Sequence, residues 1–175
     1  MIKMNDKLDK MQDQIQLTIT PEGLRIQIVD DKKTPMFKSG SAEAAPYIRG
    51  ILKELAPVVN QVPHKITING HTDSKPFPDA SKKYTNWELS SERANAARHE
   101  LSQAGYDEKK ILRVSGLSDS VPYNSKDALD PINRRISIIV MNKKAEQQLM
   151  EDLGNKPNAT QGNNASEGNA APSAE

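Results

Sequence analysis

The run Ile66-Thr67-Ile68-Asn69-Gly70-His71-Thr72-Asp73, followed after a proline-broken interval by Thr85-Asn86-Trp87-Glu88-Leu89-Ser90-Ser91-Glu92-Arg93-Ala94, decides how this chain folds. Alternation of Ile66 and Ile68 reads as a short strand running into Gly70, which leaves Asp73 just past its end. Thr85 and Glu88 have capping-box spacing. The threonine accepts from an early helix amide and the glutamate reaches back to the cap, so a helix is predicted from Asn86. On that helix Asn86, Ser90 and Arg93 share a face. Strand end and helix together deliver a carboxylate and a guanidinium to one place. Such a pair suits a zwitterion, because the carboxylate takes an ammonium while the planar guanidinium clamps a carboxylate with two parallel bonds.

Upstream, Ile15, Leu17 and Ile19 alternate with polar residues, Pro21-Glu22-Gly23 supplies a turn, and Leu24, Ile26 and Ile28 alternate again, which predicts a β-hairpin. Met4, Leu8, Met11 and Ile15 recur at helical spacing and predict a linker helix over 1–14. Its stripe suits either the surface of the core or another chain, with a change of partner as a switching device. Beyond Phe37 a helix is expected from near Ser39 or Ser41, burying Ile48, Ile51, Leu52, Leu55 and Val59. Pro46 fits its first turn and Pro57 is expected to kink or end it.

Downstream, the interval from Ser74 to Tyr84 carries Pro76 and Pro78 and is long for a connection in a compact domain, which suits a binding loop. The helix from Asn86 is expected to bury Leu89, Ala94, Ala97, Leu101 and Ala104 and to stop at Gly105. Ile111 to Gly116 reads as a strand, Ser118 to Pro131 as a loop. A last strand then places Ile132, Arg134, Ile136, Ile138 and Val140 on one side, so parity puts Arg134 on the helix-facing side. Lys143 to Leu153 reads as a short polar helix. Residues 154–175, rich in Asn, Ala, Ser, Gly and Pro, are expected to form a disordered tail. The fold class is α+β, a βαβαβ-type core with a mixed sheet and helices packed on one face, extended by the N-terminal helix and hairpin. Residues 15–153 form one domain.

Composition excludes several functions. Across 175 residues, 24 basic and 23 acidic side chains leave a formal charge of +1, too little field for nucleic acid or an anionic membrane surface. With no cysteine, disulfides, thiolate metal sites and a Cys nucleophile are ruled out. No run approaches the roughly 20 apolar residues of a membrane span, and the first residues lack the apolar core of a signal peptide. His71 and Asp73 could begin a metal site with His64 or His99, but no helix-spaced His pair accompanies them, so neither a metal nor a cofactor is expected and His71 reads as a hydrogen-bonded structural residue. Asp73 with Glu88 or Asp79 could form an acid and base pair on a glycan, yet no motif assigns them opposite protonation states and the serines lack a base. No catalytic residue is assigned. Trp87 reads as a partly buried support for the helix start, with sugar stacking as the alternative. Lys82 and Lys83 read as a solvated loop.

The motifs Gly70-His71-Thr72-Asp73, Asn86-x-x-Leu89-Ser90-x-x-Arg93-Ala94 and Asn133-Arg134-Arg135, in this order, resemble the OmpA-like peptidoglycan-binding domain over roughly Phe37 to Met141. The extended N-terminal region and the long loop after Asp73 look like those of its flagellar motor stator members. The resemblance implies a non-enzymatic wall anchor in which Asp73 and Arg93 bind the diaminopimelate of the peptide stem through its ammonium and carboxylate. Asn86 matches a family position, and Thr72 and Arg134 are accessory contacts. It further implies a homodimer, a membrane-embedded stator partner reached through an upstream segment, contacts with periplasmic flagellar ring proteins, and a periplasmic location as the soluble part of an inner-membrane-anchored protein. Two alternatives accompany it: an anchor of another envelope protein, and a cell-wall hydrolase. In a third class, a pure oligomerisation module, Asp73 and Arg93 merely pair with each other.

Overall fold

Alternating Ile, Thr and Val residues fit a pleated surface buried on one side, and in the computed structural model, which describes residues 12–30 and 33–154, they build a five-stranded sheet. The elements are β1 (Ile15–Thr20), β2 (Gly23–Val29), α1 (Pro46–Asn60), β3 (Ile66–His71), α2 (Asn86–Gln103), β4 (Ile111–Gly116), β5 (Arg135–Met141) and α3 (Lys143–Asp152). The predicted linker helix lies outside the described residues except for a short 3-10 turn at Gln12–Gln14, and the tail from residue 155 also lies outside them.

The strand order is β1-β2-β5-β3-β4. β5 runs antiparallel to both neighbours, β3 and β4 are parallel, and β1 and β2 form the predicted hairpin. Leu24, Val140 and Ile66 align across three strands, as do Ile26, Ile138 and Ile68. These rows meet Ile48, Ile51, Leu52, Ala56 and Val59 of α1 and Ala94, Ala97 and Leu101 of α2 in one core. The two long helices thus cover one face, as expected. The short α3 leans over the other, where its Ala145, Gln148 and Leu149 share a cleft with Thr67, Ile139 and Met141.

Three boundaries differ from the sequence reading. α1 starts at Pro46, later than Ser39 or Ser41, because Phe37 and Ala44 pair in a β-bridge and the Ala45 amide bonds the Met36 carbonyl at 2.8 Å. Pro46 then enters at the first helical position, where no N–H is needed. Pro57 does not end the helix, which continues to Asn60. Pro57 and Lys53, whose carbonyl loses its partner, both lie on the exposed side. β5 begins at Arg135, since Pro131–Asn133 form a 3-10 turn capped by Asp130, whose carboxylate accepts from the Ile132 amide at 3.0 Å. Ile132 and Arg134 therefore precede the strand. No helix among the described residues is long and apolar enough to cross a membrane.

Candidate functional site

Topology explains where the charges meet. β2 and β3 point the same way with β5 reversed between them, so the ends of β2 and β3 and the start of β5 lie at one edge of the sheet. Asp30 follows β2, Thr72 and Asp73 follow β3, and Arg134 precedes β5 between them. The ladder continues one step past Val29 and Arg135, with the Asp30 amide donating to the Arg134 carbonyl at 3.0 Å. The Arg134 side chain then bridges both neighbours: Nε donates to Asp30 Oδ2 at 2.7 Å and Nη1 to Asp73 Oδ2 at 2.7 Å.

The second guanidinium comes from α2. Its first turn is fixed by the predicted capping box, Thr85 accepting from the Trp87 amide and Glu88 Oε2 accepting from the Thr85 amide at 2.6 Å. α2 comes down onto glycines. A Cβ on Gly70 would lie 2.1 Å from the Ser90 carbonyl oxygen, and one on Gly116 would lie 2.3 Å from the Ser91 amide. Ser90, wholly buried between them, accepts from the Ser118 amide at 3.0 Å. This contact sets Arg93, three residues on, at the cleft. Arg93 is 7% exposed; Nε donates to the Ser41 carbonyl at 2.9 Å, Nη2 to the Lys38 carbonyl at 3.3 Å, and the guanidinium carbon lies 5.0 Å from the Phe37 ring centre.

Asp30, Thr72, Asp73, Asn86, Arg93 and Arg134 line one cavity of about 500 Å³. Phe37, Gly40, Lys75, Phe77 and Leu89 are among the residues that form the rest of its walls. All five residues singled out from sequence therefore line the same cleft. Asp73 and Arg93 are not partners of one another: Arg134 holds Asp73, and Arg93 holds the backbone of the 38–41 segment. Asn86 Nδ2 donates to the Lys75 carbonyl at 2.9 Å and fixes the loop after Asp73. The Thr72 amide donates to the Ser118 carbonyl, while its hydroxyl is buried without a hydrogen-bond partner among the described residues.

Electrostatics at the cleft follow from burial. Burial raises the Asp30 carboxyl above its ordinary pKa, against the opposing pull of Arg134 and the Met36 amide, which donates to Oδ1 at 2.7 Å. Burial lowers Arg93, with Asp30 and Asp73 countering it. Burial also acts against Arg134, but its bonds to Asp30 and Asp73 prevail and raise it. Asp30 was missed because nothing local marks it. Its place next to Arg134 depends on β5 inserting between β2 and β3.

The remaining candidates fall elsewhere. Asp79 folds the loop onto itself, accepting from the Ser81 and Tyr84 amides, and Phe77 packs on Tyr84 with ring centres 4.6 Å apart. Glu88 is spent on the cap, so neither carboxylate offered as a partner for Asp73 lines the cleft. Trp87 is 53% exposed and does not act as a buried support. Trp87 is not among the residues that line the cleft. His71 is buried as expected of a structural residue, yet its Nδ1 has no hydrogen-bond partner among the described residues, and burial first, then Arg135 and Arg25, lower its pKa to about 4.

The model of the OmpA family matches residues 36–135. The chain is 42% identical to Motility protein B of Escherichia coli strain K12 over 158 residues, which cover 90% of this chain and 51% of that protein. It thus spans about half the length of that relative. Two solved structures share the fold: the cell wall anchor of the T6SS from Pseudomonas aeruginosa, with a TM-score of 0.63 at 23% identity over 78% of this chain and 94% of that one, and the periplasmic domain of Helicobacter pylori MotB, with a TM-score of 0.62 at 18% identity over 80% and 97%.

Proposed function

The chain belongs to the OmpA family, and from that premise we propose that it is a non-catalytic peptidoglycan-binding domain that anchors a flagellar motor stator to the cell wall by gripping the diaminopimelate of the peptide stem. The observation that carries this reading is the charge set of the cleft: two carboxylates, Asp30 and Asp73, stand opposite two guanidiniums, Arg93 and Arg134, on one cavity whose rim also carries Lys75. A cleft that presents both carboxylates and guanidiniums fits a zwitterion better than a simple anion or cation, since both ends of the ligand find partners. Thr72 lines the same cavity beside Asp73.

The stator role is supported by the similarity to Motility protein B across 90% of the chain. In this reading the protein acts in the periplasm as a homodimer, tethered through an upstream segment to a membrane-embedded stator subunit and facing periplasmic ring proteins. Hydrolysis is disfavoured because neither carboxylate offered as an acid and base partner for Asp73 lines the cleft: Glu88 is held in a helix cap and Asp79 in its own loop.

Incubation with purified cell wall tests the proposal. The protein is expected to pellet with intact wall and to release no soluble muropeptides, with Asp73→Ala staying in the supernatant. Release of muropeptides, or pelleting of the folded Asp73→Ala protein like the parent, would overturn it.

A further inference from the structure

Arg134 spends different nitrogens on its two carboxylates, Nε on Asp30 and Nη1 on Asp73. The two contacts are therefore separable. Asp30 grips the guanidinium from the hairpin side and is itself fixed by the Met36 amide at 2.7 Å, with its side chain 7% exposed. Asp73 is reached from the other edge, beside Thr72 and Asn86, and its other oxygen accepts from the Lys75 amide at 3.0 Å.

We infer that Asp30 is a specificity-determining positioning residue of the cleft, holding Arg134 in place while Asp73 exchanges that guanidinium for a ligand ammonium. The inference rests on the proposed reading of the cleft as a diaminopimelate site. When an ammonium takes Asp73, the Nη edge of Arg134 is released inside the same cavity. The guanidinium is held in place because Asp30 retains Nε, but its Nη edge is left without an acceptor. A ligand carboxylate next to that ammonium then replaces the lost partner, so one internal ion pair is exchanged for two external ones of the same kind. A lysine-type stem brings the ammonium without the carboxylate and leaves the Nη edge uncompensated in a partly buried site, which is costly. Discrimination between the two stems thus arises at Arg134, and Asp30 makes it possible. Without the Asp30 charge, Arg134 is no longer anchored through Nε, its Nη edge is not held toward the ligand carboxylate, and the contact that separates the two stems is weakened.

The test uses the full chain and two synthetic peptide stems, identical except for meso-diaminopimelate or lysine at the third position. The parent is expected to prefer the diaminopimelate stem by about tenfold or more. Asp30→Asn, matched in size and still able to accept from the Met36 amide, is expected to lose most of that preference, through weaker binding of the diaminopimelate stem with little change toward the lysine stem. A folded Asp30→Asn protein with the parent's preference would overturn the inference. Should that variant fail to fold, nitrogen-15 spectra of the parent's Arg134 side chain decide. The Nε–H signal is expected to stay protected through the titration while the Nη signals move; loss of Nε protection on binding would overturn the inference. Failure of the parent to bind either stem would overturn the proposed function itself, a result distinct from loss of Asp30 dependence.

Discussion

Arg93 and Arg134 both line the cleft, and each guanidinium is held by different partners. The motif spacing marks Arg93 correctly as a cleft residue, but its donors hold the Lys38 and Ser41 carbonyls, so it builds a wall as well as facing the ligand space. Arg134 was placed by strand parity, and the strand in fact begins after it. It reaches the cleft because the 3-10 turn delivers it between Asp30 and Asp73. Asp73 and Asn86 were legible because each follows from a local signal, a strand end and a helix cap. Asp30 was not, since its role depends on which strands are neighbours in space. At this scale His71 makes a clear prediction. Its folded pKa of about 4 lies below the ordinary 6.5, so between those values the unfolded chain binds a proton that the fold refuses. The His71 contribution is fully present above pH 6.5 and is lost as pH falls toward 4, by up to about 3 kcal/mol. Denaturant titrations at pH 7, 5.5 and 4.5 are expected to show this loss in the parent and a flatter dependence in a folded His71→Gln variant; equal slopes would contradict the assignment.

Among the elements, α2 matters most, because it carries Asn86 and Arg93 and rests on two glycines. The sequence marks its start through Thr85 and Glu88 and its end through Gly105, which has φ +91° and donates to the Ser102 carbonyl while Tyr106 donates to Leu101. Nothing local reveals why Gly70 and Gly116 are glycines. The reason is the close approach of the Ser90 and Ser91 backbone, a contact between segments distant in the chain. Gly116→Ala is expected to force α2 off the sheet and cost about 3 kcal/mol in thermal or denaturant unfolding, with stem binding weakened in the population that stays folded. Thr85→Ala removes one cap bond and is expected to cost about 1 kcal/mol. If the glycine substitution proves as mild as the cap substitution, the close packing described here is wrong. α1 shows where local rules mislead: Pro57 reads as a helix breaker, but on the exposed side its missing hydrogen bond is tolerated and the helix continues.

At the scale of the whole molecule, one cleft built from partly exposed ion pairs binds weakly, since such pairs contribute about 0 to 1 kcal/mol when solvated and roughly 1.5 to 3 when desolvated and charge-assisted. A wall anchor needs more, and two linked copies on one polymer would supply it through effective concentration. Fusing the chain to a dimerising coiled coil is therefore expected to tighten retention on purified wall about a hundredfold without changing the affinity of each cleft for a soluble stem. Equal retention of monomer and dimer would show that a single cleft suffices. The mixed α+β class was legible from element order alone. The insertion of β5 between β2 and β3 was not, and that insertion makes the cleft. The central claim is that this cleft holds the diaminopimelate stem through Asp73, and a calorimetric titration of the full chain with the soluble stem tests it most directly. Saturable one-to-one binding by the parent, at least about tenfold weaker in a folded Asp73→Ala variant, is the predicted result; binding by that variant with the parent's affinity would contradict it.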